Sequence, residues 1–392
     1  MAALPTPDDV MAVLRGVIDP ELGADIVDLG MAQDATIDAA GRVVVGLALT
    51  TAGCPLRAQL RTDVRTRVGE LPGVTSVDID WREMTAEQRS HAMDRARWHA
   101  RDASRTAVPA TARVLAVASG KGGVGKSSVS ANLAAALAAR GFAVGVLDAD
   151  IWGFSLPRML GVAGRLRAEA DADGRKRILP ERIDVGAGRL EVVSMGLLVD
   201  DETDALMWRG LVLNRAVQHF LEDVAWSDDL QYLVIDMPPG TGDVQMGLAR
   251  MLPQAEMVVV TTPARAAQQV AARAVTMARK SYLRVLGVIE NMSSFECAHG
   301  ETYALFGQGG GAALAEEAGV ALLGAIPLEP SVSAGGDTGR PVALGQGRAA
   351  DAFREIADLL ADELAPPVDM AGCSARILEA ANAALDAADA NR

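Results

Sequence analysis

The run SGKGGVGKSS, Ser119 to Ser128, fits the pattern G-x-x-x-x-G-K-S/T from Gly120 through Ser127. In such a loop the backbone N–H groups of Gly120, Lys121, Gly122, Gly123, Val124 and Gly125 turn inward around phosphate oxygens. Lys126 adds a mobile cation, Ser127 offers a hydroxyl to Mg2+, and Ser128 continues into the helix whose positive N-terminal end faces the phosphates. Phosphoryl transfer also requires a carboxylate that organises the metal and a group that positions the attacking water. YLVIDMPPGTGD places Asp236 after a mostly aliphatic run, where it would hold Mg2+ through a water, and VLDADIWG places Asp148 and Asp150 just past another apolar run. Asp243, Asp200 and Asp201 read as loop or capping residues. A different chemistry is offered by Cys297, with His299 two positions on; Cys54 stands before Pro55 as a candidate reactive thiol, and Cys373 near the C-terminus is given no role.

These residues need elements that bring them together. From Arg113 onward, seven short apolar runs alternate with helical stretches: RVLAVAS, FAVGVLD, LEVVSMG, YLVIDMP, EMVVVTTP, RVLGVIENM and ALLGAIPL. Near-continuous apolarity is what strands buried on both faces require, so the expectation is a doubly wound α/β domain with a mostly parallel sheet over residues 112–366. Ligands of such sheets bind beyond the carboxyl ends of the strands, where Asp148, Asp236 and the glycine loop all fall. The helix after the loop is expected from Ser127 to Arg140, stopped by Gly141. Residues 1–85 read as a small α+β domain, with helices over Asp8 to Ile18 and Pro55 to Val68 and strands over Met31 to Ile37, Arg42 to Thr50 and Gly73 to Trp81. Residues 86–111 read as a polar linker, in part helical, and 367–392 as an alanine-rich helical tail.

Composition narrows the function. The chain has 392 residues, enough for two or three domains, with 50% hydrophobic and 22% charged residues. Its net charge of −14 disfavours nonspecific binding to nucleic acid or anionic membrane. No apolar stretch is long enough to span a bilayer and the acidic start lacks a secretory signal, so a cytoplasmic protein is expected. Three well-separated cysteines suggest reduced thiols. Lysine occurs only at Lys121, Lys126, Lys176 and Lys280, which makes the pair in one loop notable.

That pair gives the form K-G-G-x-G-K, which resembles the deviant phosphate loop of the MinD/ParA/nitrogenase iron protein superfamily. The resemblance implies that Lys121 reaches the phosphates of a partner subunit in a nucleotide-bridged homodimer. It further implies that Asp148 lies near the metal, that Asp150 orients the attacking water, and that Asn291 reads adenine. SMG, MWRG, VIDMPPGTGD, VTTP, GVIENMS, LFGQGGG, LLGAIPLEP and GDTGRP together look like the Mrp/ApbC-type iron-sulfur cluster carriers, and DPELG and TTAGCP resemble the small iron-sulfur assembly domain often fused to them. For this chain the likeness implies ATP binding and hydrolysis with Lys121, Lys126 and Asp150 as catalytic groups. It also implies dimerisation, contact with iron-sulfur assembly proteins, and transfer of a cluster, usually 4Fe-4S, to apoproteins.

The sequence departs from that family at one chemically important place. A C-x-x-C from each subunit would bridge the cluster, yet Cys297 is followed at position 300 by Gly300. The remaining ligands would then come from His299, another side chain or an exogenous thiol. Phe154, Leu211 and Gln269 are further departures, none of which removes a phosphate-handling group. The alternative reading is a MinD/ParA-like nucleotide switch without a cluster, although the acidic charge and the lack of a basic tail count against membrane or DNA partners. An electron-transfer reductase, which needs two cluster cysteines per subunit, ranks third.

Overall fold

The computed structural model describes residues 4–50, 56–101, 106–150, 153–171, 174–198, 210–240 and 242–368. Cys54, Asp200, Asp201, Cys373, the first three residues of MWRG and the expected tail helix lie outside the described residues. Contacts divide the chain into two compact units, Met1–Ala103 with Val368–Arg392, and Ser104–Pro367.

In the smaller unit, helix α1 (Pro7–Leu14) opens with a capping box between Thr6 and Asp9. Strands β1 (Ala32–Ile37) and β2 (Arg42–Leu49) pair antiparallel, helix α2 (Arg57–Gly69) follows, and β3 (Ser76–Glu83) pairs parallel with β2. Val10 and Leu14, Val43, Val45 and Leu47, and Leu60 and Val64 meet in one core, each side chain contributing on the order of 1.5–3 kcal/mol by leaving water. The polar segment after residue 85 forms helix α3 (Ala86–Arg101). Thr85 and Gln88 cap it reciprocally, Thr85 N donating to Gln88 Oε1 at 2.9 Å and Gln88 N to Thr85 Oγ1 at 3.1 Å. Ala92 on this helix is fully buried in the unit's core.

The larger unit is built on an eight-stranded sheet. In chain order its elements are β4 (Arg113–Ser119), α4 (Lys126–Ala139), β5 (Ala143–Asp148), β6 (Glu181–Val185), β7 (Gly188–Ser194), α5 (Gly210–Asp223), β8 (Tyr232–Asp236), α6 (Asp243–Met251), β9 (Glu256–Thr261), α7 (Arg265–Lys280) and β10 (Arg284–Asn291). A small hairpin, β11 (Phe295–Glu296) and β12 (Thr302–Tyr303), precedes α8 (Gly310–Ala318), β13 (Ala321–Ile326), α9 (Pro330–Thr338) and α10 (Arg348–Leu359). Spatial order in the sheet is β6-β7-β5-β8-β4-β9-β10-β13. Every pairing is parallel except β6 with β7. All seven apolar runs are strands. The eighth, edge strand β6, is ERIDV, whose charged residues left no apolar run to read.

Alternate side chains of the central strands feed opposite faces, as a two-sided sheet demands. Leu115 and Val117 of β4 pack with α4 and α10, while Val114, Ala116 and Ala118 pack with α5, α6 and α7. The chain is therefore a doubly wound α/β fold preceded by a small α+β unit. Helix α4 ends one residue before the expected Arg140, with Gly141 at φ +99° taking the chain out of the helix.

Candidate functional site

The parallel register brings the carboxylates together. Asp236 at the end of β8 is directly opposite Asp148 at the end of β5, and Ser194 at the end of β7 is opposite Asp148 on its other side. The loop after β4 opens at this same carboxyl edge. Gly120 passes so close to α7 that a Cβ there would lie 2.2 Å from the Val270 carbonyl carbon, so no other residue fits without moving the helix. Gly125 adopts φ +80°, and a Cβ on it would meet Asn291 Nδ2 at 2.2 Å. That amide donates to Val124 O at 2.9 Å. Asn291, at the end of β10, thus braces the loop from beneath, and only its Nδ2 is engaged among the described residues.

Asp236 is the hub of the site. The Lys126 ammonium lies 2.8 Å from its Oδ1, Ser127 Oγ donates to Oδ2 at 2.6 Å, and Ser130 Oγ donates to Oδ1 at 2.7 Å. Lys126 Nζ also stands 3.7 Å from Asp150 Oδ2. Asp148 is anchored by different groups: its Oδ1 accepts from Asp150 N at 3.2 Å, and its Oδ2 from Ser155 N at 3.2 Å and Ser194 Oγ at 3.2 Å. Gln245 Nε2 donates to Pro238 O at 2.8 Å and Gly240 N to Ser119 O at 3.0 Å, which ties the segment after Asp236 to the loop's base. Ser130 and Ser194 went unmarked in the sequence; the signal for Ser130 was its i,i+3 spacing from Ser127 on one helix face.

Three carboxylates here face one ammonium in a buried setting. Burial above all, and then the charge of Asp236, raise the Asp148 carboxyl well above the usual carboxylate range, against the opposing pull of Lys126. Burial likewise raises Asp150, with Lys126 opposing. The surplus negative charge and the hard hydroxyl and carboxylate oxygens suit Mg2+. Among the described residues no group of three or more His, Cys, Asp or Glu side chains is arranged to hold a metal. Mg2+ keeps several waters, so phosphates and waters would complete a shell begun by Ser127 and Asp236.

Lys121 stands outside this buried network. It is exposed and, among the described residues, has no ion-pair partner, while Ser119 Oγ donates to its carbonyl at 3.0 Å. Asp243 is the first residue of α6. Phe154 lays its ring on Gly196, whose Cβ would fall 2.6 Å from it, and Gln269 is exposed. Cys297 is in the turn of the β11–β12 hairpin, six residues past β10, and its segment is fixed to the sheet's carboxyl edge by Ser293 N donating to Ile326 O at 2.9 Å.

A P-loop on a mostly parallel sheet is also what comparison with known proteins returns. Residues 110–361 match the family model described as ParA, the NUBPL iron-transfer P-loop NTPase. The chain belongs to the iron-transfer P-loop NTPases. Residues 7–79 of this NTPase match a second model, the iron-sulfur cluster assembly protein. A Mycobacterium leprae protein named iron-sulfur cluster carrier protein is 43% identical over 347 residues, 86% of this chain and 87% of that protein. One of the same name from Deinococcus radiodurans is 42% identical over 91% of this chain and 95% of its own length. The solved nucleotide-binding protein from Archaeoglobus fulgidus, in complex with ADP, is 33% identical and superposes with a TM-score of 0.51, covering 62% of this NTPase and 91% of that chain.

Proposed function

We propose that this NTPase hydrolyses ATP as a cytoplasmic homodimer and uses the cycle to load an iron-sulfur cluster and pass it to apoproteins. The observation that carries the reading is the Lys126–Asp236–Ser127 cluster at the sheet edge from which the Cys297 hairpin also emerges. On this reading the backbone N–H groups of residues 120 to 125 take the phosphate oxygens, and Lys126 exchanges its contact with Asp236 for the β- and γ-phosphates. Ser127 and Asp236, with Asp148 nearby, are the residues that would hold Mg2+. When bound, the metal neutralises charge on the β- and γ-phosphates. Asp150 orients the attacking water, Lys121 of each copy reaches the other copy's phosphates, and Asn291 has its carbonyl oxygen for the adenine amine. Catalysis then comes from positioning and electrostatics rather than covalent chemistry.

Hydrolysis can drive loading or release only if ATP favours one state of the dimer over the other. The small iron-sulfur assembly unit would meet assembly proteins or clients. The test is transfer: the full chain, loaded anaerobically, is mixed with an apo-ferredoxin with and without ATP, and cluster arrival is followed by absorbance. Transfer that responds to ATP supports the reading. A chain that hydrolyses ATP but never holds iron is instead a nucleotide switch of the MinD/ParA kind, a reading that Gly300 in place of a second thiolate favours.

A further inference from the structure

The turn that carries Cys297 lacks one thiolate and supplies another donor. Cys297 N donates to Glu301 O at 2.9 Å and Gly300 N to Cys297 O at 3.0 Å, closing a tight turn between β11 and β12. Gly300 is in left-handed backbone at φ +82°, a conformation strained for any L side chain. The position where a second cysteine would fall is therefore shaped for glycine. The turn sets Cys297 Sγ 3.9 Å from His299 Nδ1. A tetrahedral metal with bonds of roughly 2.3 Å to sulfur and 2.1 Å to nitrogen separates its two donors by about 3.6 Å. A small side-chain adjustment lets both atoms take one iron.

A [2Fe-2S] cluster needs four protein ligands, two on each iron. One copy of the turn offers a thiolate and an imidazole, and no group of three or more such side chains exists among the described residues. A two-fold axis doubles the set to four. Beside the turn, Tyr303, Leu305 and Phe306 leave 45%, 57% and 45% of their surfaces exposed, apolar area that a second copy would cover.

We propose that Cys297 and His299 from two copies of this chain hold a [2Fe-2S] cluster, one thiolate and one imidazole on each iron, in place of a four-thiolate 4Fe-4S cluster. The proposal rests on the carrier reading above. Each Cys297 thiol releases one proton on binding and each imidazole binds neutral; the cluster's electron count does not change.

The full chain is reconstituted anaerobically with ferric iron and sulfide, and its mass in solution, iron, sulfide and pulsed EPR after dithionite reduction are measured. Two irons and two sulfides per dimer, with nitrogen coupling to the reduced cluster, are expected. His299→Cys should keep the cluster and lose the nitrogen coupling, while His299→Ala should lose most of the iron, circular dichroism confirming that each variant is folded. Four irons and four sulfides per dimer, absent nitrogen coupling in the native chain, or an undiminished cluster in His299→Ala would each overturn the proposal. A native chain that stays free of iron while Gly300→Cys takes up a cluster also overturns it. Failure of every form to take iron removes the carrier reading as well.

Discussion

The phosphate-loop edge and the cysteine hairpin lie on the same side of one sheet yet are constrained very differently. At the first, Asp236 is gripped by Lys126, Ser127 and Ser130, and Asp148 by Ser194 and three backbone N–H groups. At the second, Cys297 Sγ lies 3.9 Å from His299 Nδ1 in an exposed turn. Groups that one chain can satisfy by itself are buried and fixed. Groups without such partners stay at the surface, since burying an unsatisfied polar group costs about 1–3 kcal/mol.

The largest effect should come from Lys126→Ala. Removing the one buried cation of the loop is expected to lower ATP hydrolysis by at least ~100-fold, read by phosphate release; retained activity would mean that the buried network is structural only. Asp236→Ala takes the carboxylate acceptor from Ser127 and the nearer ion-pair partner from Lys126, while Ser130 keeps Lys126 O at 3.1 Å and Lys126 keeps Asp150 at 3.7 Å, so a loss of about 1–3 kcal/mol is expected in chemical denaturation of the large unit. A loss under 1 kcal/mol would erase the contrast with the hairpin. Gly125→Ala, through its positive φ and the 2.2 Å approach to Asn291, should weaken ATP binding by more than about tenfold in calorimetry.

A fourth test extends the burial argument to the small unit. Burial raises Asp19 from 3.8 to about 6, against the backbone N–H groups of Leu22 and Glu21 that it accepts. The folded state holds that proton more tightly, so the contribution is fully present below the unfolded pKa and is lost as pH rises through the folded one. At about 1.4 kcal/mol per pKa unit, up to roughly 3 kcal/mol should disappear between pH 4 and 7. Asp19→Asn should flatten that slope in thermal melts. The smallest effect belongs to the hairpin's surface: Arg348→Ala removes an exposed ion pair with Glu296 and should cost under ~1 kcal/mol.

Much of the large unit was legible because its signals are local. A strand buried on both faces is a continuous apolar run, and a phosphate loop is a fixed spacing between a strand and a helix. The edge strand Glu181–Val185 escaped because an edge needs only half its residues covered. Helix Ala86–Arg101 was read only in part, since its residues are mostly polar, although Thr85 and Gln88 spelled a capping box.

The amino-acid order alone determined which groups could meet a triphosphate, because Gly120 to Ser128 act through backbone and side chains a few bonds apart. Only the tertiary structure decided that Asp148 and Asp236 stand abreast, that Ser130, Ser194 and Asn291 join them, and that His299 turns toward Cys297. Those meetings depend on parallel strand register and on the turn's dihedral angles, which bring together atoms that the one-dimensional spacing leaves unrelated.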